Sequence, residues 1–291
     1  MKSHVIHKRG RAALACLLVL AAAAPGMRAL AADKLKPEEV VAKHLDALGK
    51  AEARATARGR LAVGTVTLTL HTPSTGHMGG RAVMASEGAK HMIGMAFEDS
   101  RYPQEKVGYD GDDVTTSFVR PGVRSTLGDF LMSNKVIVKS GLLGGALSGA
   151  WPLLNLSERK AKLEYGGETK VGDRRAYELK YRPEGGSDLR ISLFFDAQNF
   201  QHLRTEYTRV ISSPMTAGPN APPSQNETRY KMAEEFSDYR EEGGLTLPHG
   251  YVIRLEFLTQ RGSFKADWQF SLTQFLFNQQ LAPDSFKVAA D

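Results

Sequence analysis

Segment after segment of this chain alternates apolar and polar side chains with a period of two, and that pattern leaves few folds open. Thr65, Thr67 and Thr69 alternate with Val66, Leu68 and Leu70. Leu189, Ile191, Leu193 and Phe195 are interleaved with Arg190, Ser192 and Phe194. Tyr251, Ile253, Leu255 and Phe257 repeat the pattern, as do Phe264, Ala266, Trp268, Phe270 and Leu272. A strand sends successive side chains to opposite faces, so each segment shows one face to a core and the other to water. That is the signature of an antiparallel sheet with a single covered face. Asp110-Gly111 predicts a hairpin with a type I′ turn, which needs positive φ at both central residues. Gly172-Asp173, Gly185-Gly186 and Gly243-Gly244 punctuate the later strands. No run of helices alternates with these strands, which excludes a βαβ architecture.

Two kinds of segment break the alternation. The first is helical: Val40, Val41, His44, Leu45 and Leu48 form one apolar stripe, with Pro37 at a first helical position and Gly49 at the far end. The second kind is inserted. Residues 126–157 carry Leu127, Phe130, Leu131 and Met132, a glycine-rich run over 141–149, and Trp151-Pro152-Leu153-Leu154. Two short helices with very little charge are expected there. Gly141, Gly144, Gly145 and Gly149 permit close backbone approach, and two readings stand open: a lid over an apolar cavity, or helices packed permanently on the sheet. Residues 213–227, with Pro214, Pro219, Pro222 and Pro223, predict a mobile loop. Strand patterns continue on both sides of each insertion, so residues 32–291 are expected to form one domain.

The start of the chain reads as an address. Lys2, Lys8, Arg9 and Arg11 precede an apolar run over 12–24, Pro25 breaks it, and Ala29-Leu30-Ala31 offers a signal peptidase its small–x–small site. The run is too short to span a bilayer, which takes about 20 residues. Cleavage after residue 31 leaves a soluble protein expected in the periplasm. It also removes five basic residues and no acidic ones, so 33 basic residues face 32 acidic ones in what remains. A near-neutral chain of that kind argues against nucleic acid as a partner. Cys16, the one cysteine, leaves with the signal, and with it any disulfide or thiolate metal site.

Chemistry is sparse in what remains. No nucleotide loop, zinc-protease helix or serine-hydrolase elbow is present. The histidines show no pair at metal-ligand spacing. Asp110, Asp112 and Asp113 could gather a calcium ion, but the rest of a calcium loop is missing and Asp-Gly suits the hairpin. No catalytic residue, metal or cofactor is expected, and the chain reads as a non-enzyme.

The order of these pieces resembles a known group. The helix "EEVVAKHLDALG" precedes the strand "GRLAVGTVTLTL", the hairpin "KVGYDGDDVTTSF" leads into the helical segment, and "YELKYRPEGGSDLRISLFFDAQNFQHLRTEY" and "LTLPHGYVIRLEF" follow. This resembles the LolA/LolB-like outer-membrane lipoprotein-sorting proteins and the lipoprotein-like domain of RseB/MucB-type stress sensors. The resemblance implies a mainly β fold with α: a curved antiparallel sheet forming an incomplete, unclosed barrel, helices plugging its concave face. It implies that lipid or lipoprotein acyl chains enter a hydrophobic cavity, handed on by an inner- or outer-membrane partner. Val66, Leu68, Leu70, Leu193, Phe195, Ile253, Leu255, Trp268 and Phe270 are the candidate lining. Phe130, Leu131, Leu142, Leu143 and Trp151 are the candidate lid. Permanent core is the competing reading for each. A sensor or scaffold module that binds an envelope protein is the alternative function, and an exported hydrolase is the third.

Overall fold

The computed structural model describes residues 35–72, 75–215, 224–259, 262–282 and 284–288. The signal segment 1–31, Cys16 included, lies outside the described residues. The expected opening helix is α1 (Pro37–Leu48), whose Val40, Val41, His44 and Leu48 are buried. A single-turn helix that the stripe did not announce, α2 (Ala51–Thr56), follows it.

The strands are β1 (Gly59–Thr72), β2 (Gly76–Glu87), β3 (Lys90–Phe97), β4 (Gln104–Tyr109) and β5 (Val114–Thr116), then β6 (Lys162–Val171), β7 (Arg174–Arg182), β8 (Arg190–Asp196), β9 (His202–Met215), β10 (Ser224–Glu242), β11 (Leu245–Thr259) and β12 (Gly262–Phe277). They form one sheet in the order β5-β4-β3-β2-β1-β12-β11-β10-β9-β8-β7-β6. Every neighbouring pair is antiparallel. Two meanders, β1–β5 and β6–β12, are thus sewn together along β1 and β12. The sheet is not closed, and its two edges are β5 and β6.

Those two edge strands are consecutive in the chain. Residues 117–161 therefore have to travel from one edge of the sheet to the other, and they do so across its inner face. The crossing segment contains α3 (Thr126–Ser133), α4 (Val136–Lys139) and two 3₁₀ turns, Gly145–Leu147 and Pro152–Asn155. The two helices expected over 126–157 are thus short α-helices supplemented by turns, because the glycine run adopts positive φ at Gly141, Gly144 and Gly145 instead of continuing a helix.

The sheet curls around this segment. The Gly144 N–H donates to Glu234 Oε1 of β10 at 2.7 Å. A Cβ on the same glycine would stand only 2.6 Å from Met84 Cε of β2. Strands β2 and β10 are four places apart, about 19 Å in a flat sheet. Both reach one glycine only because the sheet bends into a trough.

The Asp110-Gly111 hairpin is present, but its turn is not type I′. Four residues, Asp110 to Asp113, connect β4 to β5, and Gly111 alone among them has positive φ (103°). The Asp110 carboxylate accepts from the backbone N–H groups of Asp112 (3.0 Å) and Asp113 (2.9 Å), so a side chain closes the turn. Lys135 Nζ then donates to Asp113 Oδ1 at 2.9 Å, and Lys139 Nζ to the Asp112 carbonyl at 2.9 Å. The acidic tip thereby ties the hairpin to α4. Of residues 213–227, the first three complete β9 and the last four begin β10; residues 216–223 lie outside the described residues.

The crossing segment depends on glycine at its tightest point. Gly141 has φ +71° and an added Cβ would lie 2.0 Å from the Ala150 carbonyl oxygen, whereas Gly79 on β2 has nothing within 4 Å. Gly141→Ala is expected to lower unfolding free energy by about 2 kcal/mol or more. Gly79→Ala is expected to be neutral or stabilising by up to about 1 kcal/mol. Urea denaturation of the two variants checks both.

Candidate functional site

Inner-face residues of the strands line up in rows across the sheet. One row runs Leu68 (β1), Trp268 (β12), Ile253 (β11), Glu234 (β10), Thr205 (β9), Leu193 (β8) and Leu179 (β7). All seven are buried, and Glu234 is the only charge among them. The adjoining pairs Val66–Phe270 and Phe270–Tyr251 extend this apolar floor.

The structure brings the sequence-derived candidates together. Val66, Leu68, Leu193, Phe195, Ile253, Leu255, Trp268 and Phe270 share one apolar cluster with Phe130, Leu131, Leu142, Leu143 and Trp151 of the crossing segment, and Leu70 packs against it half-buried. The segment's side chains occupy the trough and touch its floor.

Polar side chains unannounced as site residues hold the segment down. An irregular stretch of backbone in an apolar trough needs partners for its N–H and C=O groups. Glu234 supplies one for Gly144 and also accepts from Tyr207 O–H (2.6 Å) and Tyr251 O–H (2.5 Å). Burial raises its pKa to about 7, overcoming the three donors that pull the other way. Glu105 of β4 repeats the arrangement beneath α3: it is buried, accepts from Tyr102 O–H, and burial raises it to about 7. The Ser125 hydroxyl caps α3 there by accepting from the Gly128 N–H at 2.8 Å. The period-two register would have exposed both acids, since Glu234 falls in phase with Met232 and Phe236, and Glu105 with Val107.

A second fastening surrounds Trp151. Its indole N–H donates to His44 Nε2 of α1 at 3.2 Å, while His44 Nδ1 donates to the Phe200 carbonyl at 3.0 Å. Those roles require a neutral imidazole, in keeping with a pKa pushed down to about 4 by burial. The indole also stacks on His202 of β9 (4.8 Å between centroids), which stacks in turn on Phe236 (4.4 Å). Burial lowers His202 as well.

At one end of the trough a groove of about 370 Å³ opens between α3 and the sheet. Its floor is the cross-strand row Arg209, Tyr230 and Phe257, which Phe264 continues on β12. Phe257 stacks on Phe264 (5.1 Å), and Tyr230 lies 5.6 Å from Phe257 and 6.1 Å from Phe130 of α3. Ile211, 37% exposed, lines the groove, while Val210 (49%) and Leu258 (57%) flank Arg229 on the opposite face of the sheet.

No protein-family model matches the sequence, and no curated protein does. Solved structures similar to the chain include a LolA superfamily protein of Nitrosomonas europaea (11% identity, TM-score 0.45, covering 87% of this chain and 98% of that one). A domain assigned to the outer membrane lipoprotein-sorting proteins of Vibrio parahaemolyticus gives 11% identity and a TM-score of 0.44, covering 86% of this chain and 97% of that one. MucB of Pseudomonas aeruginosa in complex with MucA gives 12% identity and a TM-score of 0.22, covering 82% and 99%. Both groups that the sequence resembles are among them. These are likenesses in the course of the backbone, at identities where individual residues do not transfer.

The raised pKa of Glu234 has a testable sign. With a folded value of about 7 against 4.5 for the free group, the folded chain holds this proton more tightly than the unfolded one. The carboxyl's contribution to stability is therefore full below pH 4.5 and is lost as pH rises through 7. Glu234→Gln does not titrate. Its unfolding free energy minus that of the wild type is expected to rise by roughly 2–3 kcal/mol between pH 4.5 and 8. Denaturant melts of the two chains at each pH measure the difference; a flat difference would show an unshifted carboxyl.

Proposed function

We propose that the chain is a periplasmic, non-enzymatic carrier of the acyl chains of lipids or lipoproteins, of the outer-membrane lipoprotein-sorting type, with residues 126–157 as a lid in its closed position. The observation that carries this reading is the edge-to-edge crossing: one segment, joined to the two edges of the sheet and fastened between them at a few polar points, fills an apolar trough. In this reading an acyl chain enters beneath α3 and takes the place of Leu142, Leu143, Leu147 and Trp151. Val66, Leu68, Leu70, Leu193, Phe195, Ile253, Leu255, Trp268 and Phe270 then line the cavity the lid leaves.

Magnitudes favour an exchange near balance. Exposing four large apolar side chains costs on the order of 6–12 kcal/mol, at about 1.5–3 kcal/mol each. A chain of roughly 16 carbons entering the trough recovers on the order of 13 kcal/mol gross, at about 0.8 kcal/mol per CH₂. Neither state wins by a wide margin, which suits a carrier that must also release. No helix among the described residues is long and apolar enough to cross a membrane, so delivery would rest on a partner. The second reading, a module that binds an envelope protein on the same fold, is favoured by the exposed Val210 and Leu258, which flank Arg229 on the outer face of the sheet.

Trp151 reports directly on the exchange. In a Trp268→Phe chain it is the sole tryptophan. Titration with palmitate is expected to shift its emission to the red and lower its intensity as it leaves the His202 stack, with saturation at one equivalent. Palmitate without effect, together with no lipid in an organic extract of the purified protein, would remove the carrier reading and leave the protein-binding one.

A further inference from the structure

Separate from the groove beside α3, between α2, the start of β1 and the tail of the crossing segment, lies a cleft of about 760 Å³. Arg54, Arg58, Arg60 and Arg159 line it, against a single acid, Glu158. Among the described residues none of the four arginines is paired with a carboxylate. Arg54 Nη1 donates to the Leu45 and Gly49 carbonyls, closing the end of α1. Arg58 Nε reaches the Ala55 carbonyl at 3.2 Å, and Arg159 Nη2 the Ala150 carbonyl at 3.2 Å.

Arg60 is the unusual member. It stands in the inward register of β1, in phase with buried Ala62, and is 4% exposed. Its Nε donates to the Ala57 carbonyl (3.2 Å), and its Nη1 to the carbonyls of Ala146 and, at 3.4 Å, Ser148. Its Nη2 is buried with no partner among the described residues. A buried guanidinium ordinarily comes with a carboxylate, because desolvating the charge is costly unless it is paired. Here the protein supplies carbonyls only, and leaves one donor over.

We propose that this cleft binds a phosphate-bearing ligand, held by Arg58, Arg60 and Arg159. A phosphate monoester carries close to two negative charges at neutral pH and offers three acceptor oxygens. It can take several guanidinium forks at once, whereas a carboxylate would neutralise one arginine and leave the excess. The cleft is also larger than a phosphate group, and Ala51, Ala55, Ala57, Ala89 and Leu154 give it an apolar wall for the body that carries the phosphate.

The test is calorimetric titration of the chain with inorganic phosphate at low ionic strength, paired with co-sedimentation on phosphatidylcholine vesicles with and without phosphatidic acid. Saturable binding of one phosphate is expected, weakened tenfold or more by Arg58→Ala and by Arg159→Ala, and unchanged by Arg229→Ala on the distant end of β10. Arg58 is exposed and bonds only within its own turn, so its variant keeps the fold even where Arg159→Ala does not. Selective retention on phosphatidic acid vesicles would assign the phosphate to a lipid headgroup; phosphate binding without it would assign a phosphorylated solute. The proposal is overturned by the absence of both, by affinities that Arg58→Ala leaves unaltered, or by equal weakening in Arg229→Ala.

Discussion

The edges of this sheet, β5 and β6, follow one another in the chain, and everything else in the structure answers to that. A sheet built as two meanders sewn along β1 and β12 has one connection left to make, and it must traverse the inner face. The trough therefore contains its own occupant. That occupant is irregular backbone, so its polar groups have to be met from a floor made of leucine, isoleucine and aromatic rings. Glu234, the one charge in a row of seven buried residues, meets the Gly144 N–H; Arg60 meets the carbonyls of Ala146 and Ser148. Burying charged groups for this purpose opposes folding on its own account. It makes sense where a segment must be positioned at particular points and not merely collapsed onto grease.

These fastenings answer to pH in opposite directions. Glu105 and Glu234, both raised to about 7, contribute most below pH 4.5 and lose their contribution as pH climbs through 7. His44, lowered to about 4, contributes fully above 6.5 and loses it as pH falls toward 4. The grip on the crossing segment is therefore shared between groups that cannot all be at their best at one pH.

Much of this could be read in the residues. Alternation in 65–70, 189–195, 251–257 and 264–272 gave the strands and their inward faces, and the stripe from Val40 to Leu48 gave α1. The apolar floor candidates meet in one cluster for that reason: period two and burial are the same fact seen twice. What stayed hidden was of two kinds. Strand order is a long-range property, so no local pattern revealed that β1 pairs with β12 or that 117–161 bridges the edges. The charges on the inner face were visible in principle, since Arg60, Glu105 and Glu234 each sit in phase with apolar neighbours. Glu234, one of two consecutive acids with Glu235, draws no notice until the register is followed. The Asp110-Gly111 turn departed from type I′ because the Asp110 side chain offered two backbone N–H groups a better partner than the opposing strand.

The central claim is that the crossing segment opens apart from the sheet it covers, and native-state hydrogen exchange addresses it most directly. The Gly144 amide is buried and bonded to Glu234, so a rigid molecule would protect it as well as any strand amide. The account requires Gly144 and its neighbours over 141–151 to exchange through a partial opening of lower free energy, and with weaker denaturant dependence, than the central amides of β1, β11 and β12. Exchange of those amides only at the free energy and denaturant slope of global unfolding would contradict it.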